Sequence, residues 1–355
     1  METRRPTSPA AEEILGGYFP VLDHGFVALV DYMGGDEDVE RAARVSYGYG
    51  TRKRSATRGL IRYLRRHRHT TPSEMVELKF HCCMPIFVAR QWIRHRTANV
   101  NEYSGRYSLI PLLFYTPEKD DFALQSRSNR QGRRSEAADP AFYREAVRRW
   151  TRGREEAAGV YEWLVGEDVA RELARIDLPL STYTQWYWKI DLHNLLHFLT
   201  LRVDPHAQYE IRAYGEIMAG MLKRVAPLSY EAWIDYQVAG TVLSRGELEA
   251  LRALLEPVGE EEGIRVRGDA GGEGSGAGGD GSGAGGERSG AGAPPGLSGA
   301  RLRELGLSGR EVRELLHKLA PAERPDFDLD LSEMKSAEHF AERMEAAVPR
   351  ADREG

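Results

Sequence analysis

Arginine, histidine, glutamate and serine crowd the stretch Arg94-His95-Arg96-Thr97-Ala98-Asn99-Val100-Asn101-Glu102-Tyr103-Ser104-Gly105-Arg106-Tyr107. Arginine presents a rigid planar fork of donors that matches phosphate and carboxylate oxygens, so guanidinium groups gathered this closely suit an anion site. The one carboxylate among them, Glu102, is then held by those cations or by a ligand's donors. The alternative reading is a solvated, salt-bridged helix end. Upstream, Val76 to Cys83 alternates apolar and polar residues as a half-buried strand does. Pro85 then opens a helix that meets no breaker through Arg96. On that helix Gln91 shares a face with Arg94 and His95, which delivers polar groups to the cluster. Gly105 after Ser104 permits a tight turn and close approach of backbone to a ligand.

Arg94-His95-Arg96, seven residues, then Ser104 resembles the signature of flavin-dependent thymidylate synthases. Further segments match in family order: His69-Thr70-Thr71-Pro72-Ser73-Glu74, Pro85 to Trp92, Ala174-Arg175-Ile176-Asp177-Leu178-Pro179, and Leu201-Arg202-Val203-Asp204-Pro205-His206-Ala207-Gln208. The resemblance covers about residues 25 to 245. It implies an α+β fold, an antiparallel sheet packed with helices, assembled as a homotetramer whose active sites draw on several subunits. It implies FAD as cofactor, with Thr71, Arg94, His95, Arg96, Asn101, Glu102, Asp191, His193 and His197 as its contacts. Many relatives carry Asn and Arg where this chain has Asp191 and His193. It also implies that Gln91, Arg94, Glu102, Ser104, Gly105, Arg106, Arg175 and Arg202 surround dUMP. Arg202 would be catalytic, favouring an N3-deprotonated, electron-rich uracil whose C5 attacks a one-carbon unit. The implied reaction is reductive methylation of dUMP to dTMP with methylenetetrahydrofolate as carbon donor, NADPH as reductant and tetrahydrofolate as product.

Several other groups invite chemistry. His193 and His197 stand four apart in Thr184 to Leu201, whose length and apolar content predict a helix, a spacing open to a metal, a structural pair or a flavin contact. The segment lacks the glutamate of the two-histidine zinc motif, and no metal is expected. Cys82 and Cys83 are adjacent, on opposite faces of the expected strand, with no metal-type ligands spaced around them. They read as small residues of a reducing compartment, not as the thiol nucleophile of the other, flavin-free thymidylate synthases. A serine nucleophile needs a neighbouring base, and the surroundings of Ser104 are cationic, so a hydrogen bond to the nucleotide is the preferred role.

The chain's 355 residues exceed what one such domain needs. We expect an N-terminal segment over 1–24, the enzyme domain over 25–245, a flexible linker over 246–300 and a short helical tail over 301–355. Gly, Ser and Ala dominate from about Gly263 to Pro295, and two glycine-rich hexamers there satisfy a dinucleotide-loop pattern by composition alone. Ser308-Gly309-Arg310-Glu311 has the spacing of a capping box before an amphipathic helix, and Ser332 to Ala347 is a second helix candidate. Helices are also expected over Pro140 to Gly166, and a strand over Val27 to Tyr32.

Net charge is −5, and residues 41 to 69 hold many arginines and no acid. No base-reading motif accompanies them, so a solvated helix surface or a positive approach to an anionic substrate is favoured over nucleic acid. No secretory segment or membrane-length apolar run is evident, and a soluble cytoplasmic protein is expected. Readings of other classes are a nucleotide-binding regulator, which would have lost the flavin contacts, and an arginine-rich RNA-binding module.

Overall fold

A computed structural model describes residues 6–45, 56–126, 132–262, 299–304, 307–319 and 324–349. The chain divides into two compact units, one of residues 1–238 with 324–355, the other of 239–323.

The first unit is built on a five-stranded sheet. Its strands are β1 (Tyr18–Val21), β2 (Gly25–Met33), β3 (Glu77–Pro85), β4 (Asn99–Glu102) and, after the small hairpin β5 (Ala123–Gln125) and β6 (Arg133–Ala137), β7 (Tyr183–Asp191). The spatial order is β1-β2-β3-β7-β4, with every pairing antiparallel. The expected strand Val27 to Tyr32 lies within β2, and Val76 to Cys83 falls in β3 except for Val76, which precedes it. In β3, Leu78, Phe80 and Cys82 are buried while Lys79 and His81 stay partly accessible, the period-two pattern that its sequence carries. The 27-residue helix Pro140–Gly166 forms as expected, with Asp139 Oδ1 accepting from the amides of Ala141 and Phe142 at 2.8 and 3.1 Å.

Two expectations are corrected. Thr184 to Leu201 is not one helix but β7 followed by the helix Leu192–Arg202. Thr184, Trp186, Trp188 and Ile190 point inward and alternate with more accessible Gln185, Tyr187 and Lys189, so β-branched and aromatic residues fill a sheet face. The helix begins only where Asp191 caps it, its Oδ1 accepting from the Asn194 amide at 2.9 Å. The helix after Pro85 ends at Trp92, short of Arg96, because the polar residues that follow have nothing to bury and the chain must turn to pair Asn99 with Lys189 on β7. Within the expected N-terminal segment, Tyr18–Val21 form β1.

Trp92, fully buried, is where the layers meet. Its ring lies 5.0 Å from Phe198, 5.3 Å from Trp188 and 5.9 Å from Tyr214. Such aromatic contacts contribute about 0.5–1.5 kcal/mol each beyond burial, and they fix the neighbours of Trp92 in sequence, above all Gln91.

The second unit contains the helices Arg245–Glu262, Gly299–Glu304 and Gly309–Leu319 around Ala250, Leu302, Leu307, Val312 and Leu315. The anticipated linker start at 246 therefore falls inside a helix. The capping box forms: Ser308 N donates to Glu311 Oε2 at 2.8 Å and Glu311 N to Ser308 Oγ at 3.3 Å. The glycine-rich run from 263 to 295 lies outside the described residues. Arg324–Gly355 belongs to the first unit, so the 301–355 tail is divided between the two. No described helix is long and apolar enough to cross a membrane.

Candidate active site

Two clusters of polar side chains gather beside β7. The first joins the ends of two helices. Arg202 closes the helix Leu192–Arg202 and donates from Nη2 to the Gln91 carbonyl at 3.2 Å, with its guanidinium 5.7 Å from the centre of the Phe198 ring. Burial lowers the pKa of Arg202, but a guanidinium remains cationic at neutral pH. Its Nε and the Gln91 Oε1 are both buried atoms without a hydrogen-bond partner among the described residues. Unpaired buried groups are costly, and a free donor on one residue with a free acceptor on the other is what the edge of a pyrimidine, with its carbonyls and ring N–H, would satisfy.

His95 and His197 extend this cluster, their rings 5.6 Å apart. His95 also packs on Phe198 at 5.5 Å, and its Nε2 shares a hydrogen bond with the Thr97 hydroxyl at 3.1 Å. Burial first, then the proximity of His197 and Arg202, lowers the pKa of His95 against the opposing pull of Asp191. His193 is lowered by burial and then by Arg65 and His197, opposed by Asp191 and Glu74. Its Nδ1 is buried with no partner. Both imidazoles are held toward the neutral form, and the orphaned Nδ1 fits a planar heterocycle bearing donors and acceptors. Asp191 caps its helix with one oxygen and accepts from Asn194 Nδ2 at 2.7 Å with the other, so its carboxylate already serves the fold.

The second cluster surrounds the turn after β4. Thr184 Oγ1 donates to Glu102 Oε1 at 2.8 Å across the β4–β7 pairing. Ser104 Oγ accepts from the Arg106 amide at 3.3 Å. Arg106 Nε lies 3.1 Å from Glu172 on the exposed surface, a pairing that solvent makes weak and a phosphate can displace. Gly105 is buried: a Cβ there would stand 2.6 Å from Ile110 Cδ1, 2.8 Å from Ile110 Cγ1 and 3.2 Å from Arg175 Cδ. The Arg175 stem therefore lies against Gly105, next in sequence to Ser104 and Arg106, so that two arginines are near neighbours of this turn.

Gln91 and Arg202, His95 and His197, and Ser104 through Arg106 with Arg175 are thus brought together. Arg94 and Arg96 are exposed in the turn beyond the short helix, Asn101 is exposed on β4, and Thr71 opens the 3-10 turn Thr71–Met75. Sequence reasoning missed Thr184 and Arg65 as neighbours of the site. The first was hidden by the helical reading of its segment, and the second is one of many arginines on the helix Thr57–Arg66. Arg58 and Arg62 of that helix are taken up by Glu231 and Asp235.

Over residues 28–228 the chain matches the model of a protein family described as thymidylate synthase complementing protein. The chain belongs to this family. Among relatives of this thymidylate synthase complementing family, the flavin-dependent thymidylate synthase of Gluconobacter oxydans is 56% identical over 256 residues, covering 71% of this chain and 84% of its own length. That of Wolbachia pipientis is 51% identical over 254 residues, covering 72% and 89%. The solved structure of the UMP/dUMP methylase PolB from Streptomyces cacaoi, bound with 5-Br dUMP, superposes with a TM-score of 0.56 at 33% identity, covering 61% of this chain and 97% of that one.

The cysteines stand apart from both clusters' chemistry. Cys82 and Cys83 are fully buried and unpaired in a disulfide, and burial pushes both thiols far up, Cys82 further raised by its neighbour Cys83. A thiol so held supplies little thiolate. Replacing both by alanine should leave turnover of the folded, FAD-loaded enzyme within about tenfold, with about 1–2 kcal/mol of stability lost to packing. Abolished turnover in a folded, flavin-loaded double variant would assign the nucleophile to a thiol.

Proposed function

We propose that this protein is a flavin-dependent thymidylate synthase that methylates dUMP to dTMP, with methylenetetrahydrofolate as carbon donor, NADPH as reductant and tetrahydrofolate as product. The observation that carries the reading is the half-buried Arg202–Gln91 pair, with a buried donor on one and a buried acceptor on the other unspent among the described residues, in a chain 56% identical to an enzyme of that name.

Arg106 and Arg175 take the nucleotide phosphate, with the Ser104–Gly105 backbone and the Ser104 hydroxyl completing the cradle. Ser104 is a hydrogen-bonding group, since no base is set to take its proton and its Oγ faces the Arg106 amide. Glu102, steadied by Thr184, accepts hydrogen bonds from the ligands between the clusters. Arg202 lies along the uracil edge, where its fixed charge favours loss of the N3 proton and raises electron density at C5, the atom that receives the one-carbon unit. Gln91 orients the ring through its amide. FAD, when bound, supplies the hydride that completes the methyl group. His95, His193 and His197 with Thr71, Arg94, Arg96 and Asn101 form its expected seat, while Asp191 acts there by capping the helix that carries the two histidines.

Assembly as a homotetramer is part of this proposal. Ile93, Val100, Tyr107, Leu173 and Ile176, all close in sequence to site residues, are 40% to 75% exposed, a density of apolar surface that suits coverage by another subunit. Two buried, unpaired cysteines agree with a cytoplasmic setting. The test is conversion of dUMP to dTMP by the purified protein with methylenetetrahydrofolate and NADPH. Product should form with FAD bound and fail to form after the flavin is stripped; equal yield from the stripped protein would overturn the reading.

A further inference from the structure

The segment from Arg324 to Pro349 lies beyond the residues 28–228 that the family model matches, yet it is built into the first unit as a strap. It is anchored repeatedly along its length. Lys223 Nζ meets Asp326 and Asp328 at 2.6 Å each, and Phe327 N donates to Tyr230 OH at 2.8 Å. Lys335 exchanges backbone hydrogen bonds with Tyr18 at 2.8 and 3.0 Å, extending the sheet beyond β1. The helix Ala337–Ala346 then buries Phe340 among Phe26, Cys83, Tyr115 and Tyr183. An unanchored appendage would not place a phenylalanine there, 4% exposed.

The strap ends beneath the nucleotide loop. Leu112 N donates to the Ala347 carbonyl at 2.9 Å, and Val348 packs on the apolar cluster of Leu109, Tyr161 and Ala174 that also receives Ile110. That cluster is tied directly to the loop. Tyr103 OH donates to the Leu109 carbonyl at 2.6 Å, and Ile110 N donates to Tyr161 OH at 3.0 Å. Ile110 in turn presses on Gly105, and with the Arg175 stem it fills the space that a Cβ there would take.

We propose that Val348 and the Ala347 carbonyl are positioning groups for nucleotide binding. They fix the Leu109–Leu112 floor on which Gly105 and Arg175 rest, so that docking of the strap's end sets the affinity for the phosphate end of dUMP without touching it. This inference rests on the assignment of Arg175 and Gly105 to the nucleotide site.

The experiment uses the full-length, FAD-loaded enzyme. Val348→Asp places a carboxylate against the apolar cluster, which favours undocking of the strap's end. The dUMP Kd by calorimetry and the dUMP KM should both rise by about tenfold, while kcat at saturating dUMP and flavin reduction by NADPH without dUMP stay within about twofold. Amide exchange at Leu112, whose partner is the Ala347 carbonyl, should accelerate in parallel. Val348→Ile, which keeps the packing, should restore all three. An unchanged dUMP Kd with faster Leu112 exchange would overturn the proposal, because the strap would have been released without consequence for the nucleotide. Should Val348→Asp not fold, Val348→Ala carries the same comparison with an expected rise of about threefold, and the same combination of results would overturn it. A wild-type protein that fails to bind dUMP would instead overturn the function proposed above, so the two failures are distinguishable.

Discussion

Arg202→Ala should turn over about a hundredfold to a thousandfold more slowly than the parent enzyme at saturating dUMP, the usual loss when a preorganised donor aimed at developing charge is removed. The guanidinium is half-buried at the end of its helix, tethered to the Gln91 carbonyl and laid against Phe198. Its orientation is therefore set before a nucleotide arrives. Removing it takes away the fixed positive charge proposed to act on the pyrimidine and leaves the Gln91 carbonyl without its donor. Arg202→Lys keeps the charge but loses the planar fork, and should recover only part of the rate. NADPH reduction of bound flavin should survive in both, because that half-reaction needs no activated uracil. Normal turnover of Arg202→Ala once dUMP is saturating would reduce the residue to a binding role.

Gly105→Ala should weaken dUMP binding by about tenfold to a hundredfold, the range expected when one methyl is forced into occupied space at a cost of about 1–3 kcal/mol. The added Cβ would overlap Ile110 at two atoms and crowd the stem of Arg175. Ile110 cannot simply swing aside, since its amide is held by Tyr161 and its side chain is packed on the Leu109 cluster. The outcome is a displaced loop and a displaced phosphate donor. Shortening the neighbour should relieve it: Gly105→Ala with Ile110→Val is expected to regain several-fold in dUMP affinity over Gly105→Ala alone. The same weak binding in both variants would mean that the contact with Ile110 is not what Gly105 protects.

How much of this arrangement could be read from the residues varies with what decides each part. The alternation in Val76 to Cys83 and the uninterrupted amphipathic run from Pro140 to Gly166 are local signals, and those elements form with nearly the expected bounds. Thr184 to Leu201 deceived the reading because its overall apolar content suits either element. Its first half is a strand only because β3 and β4 flank it and take up its hydrogen bonds, a circumstance no local pattern states. The clustering of Arg94 to Tyr107 is a local signal too, but its division between two places in the fold was not legible. Arg106 goes with Arg175 and Gly105, while His95 goes with His197 and Arg202, because β4 intervenes between the two halves of the motif. The strap was least legible of all. Ser332 to Ala347 reads as an amphipathic helix, but that Phe340 is buried among Phe26 and Tyr183 is a tertiary fact.

The central claim is that reduced flavin, and not the folate, supplies the hydride of the new methyl group on a nucleotide held by these residues. The folate product distinguishes the two directly. In a reaction of the FAD-loaded enzyme with dUMP, methylenetetrahydrofolate and NADPH, chromatographic quantification should find one tetrahydrofolate for each dTMP. One dihydrofolate for each dTMP would contradict the account, because the folate would then have been oxidised to provide the reducing equivalents.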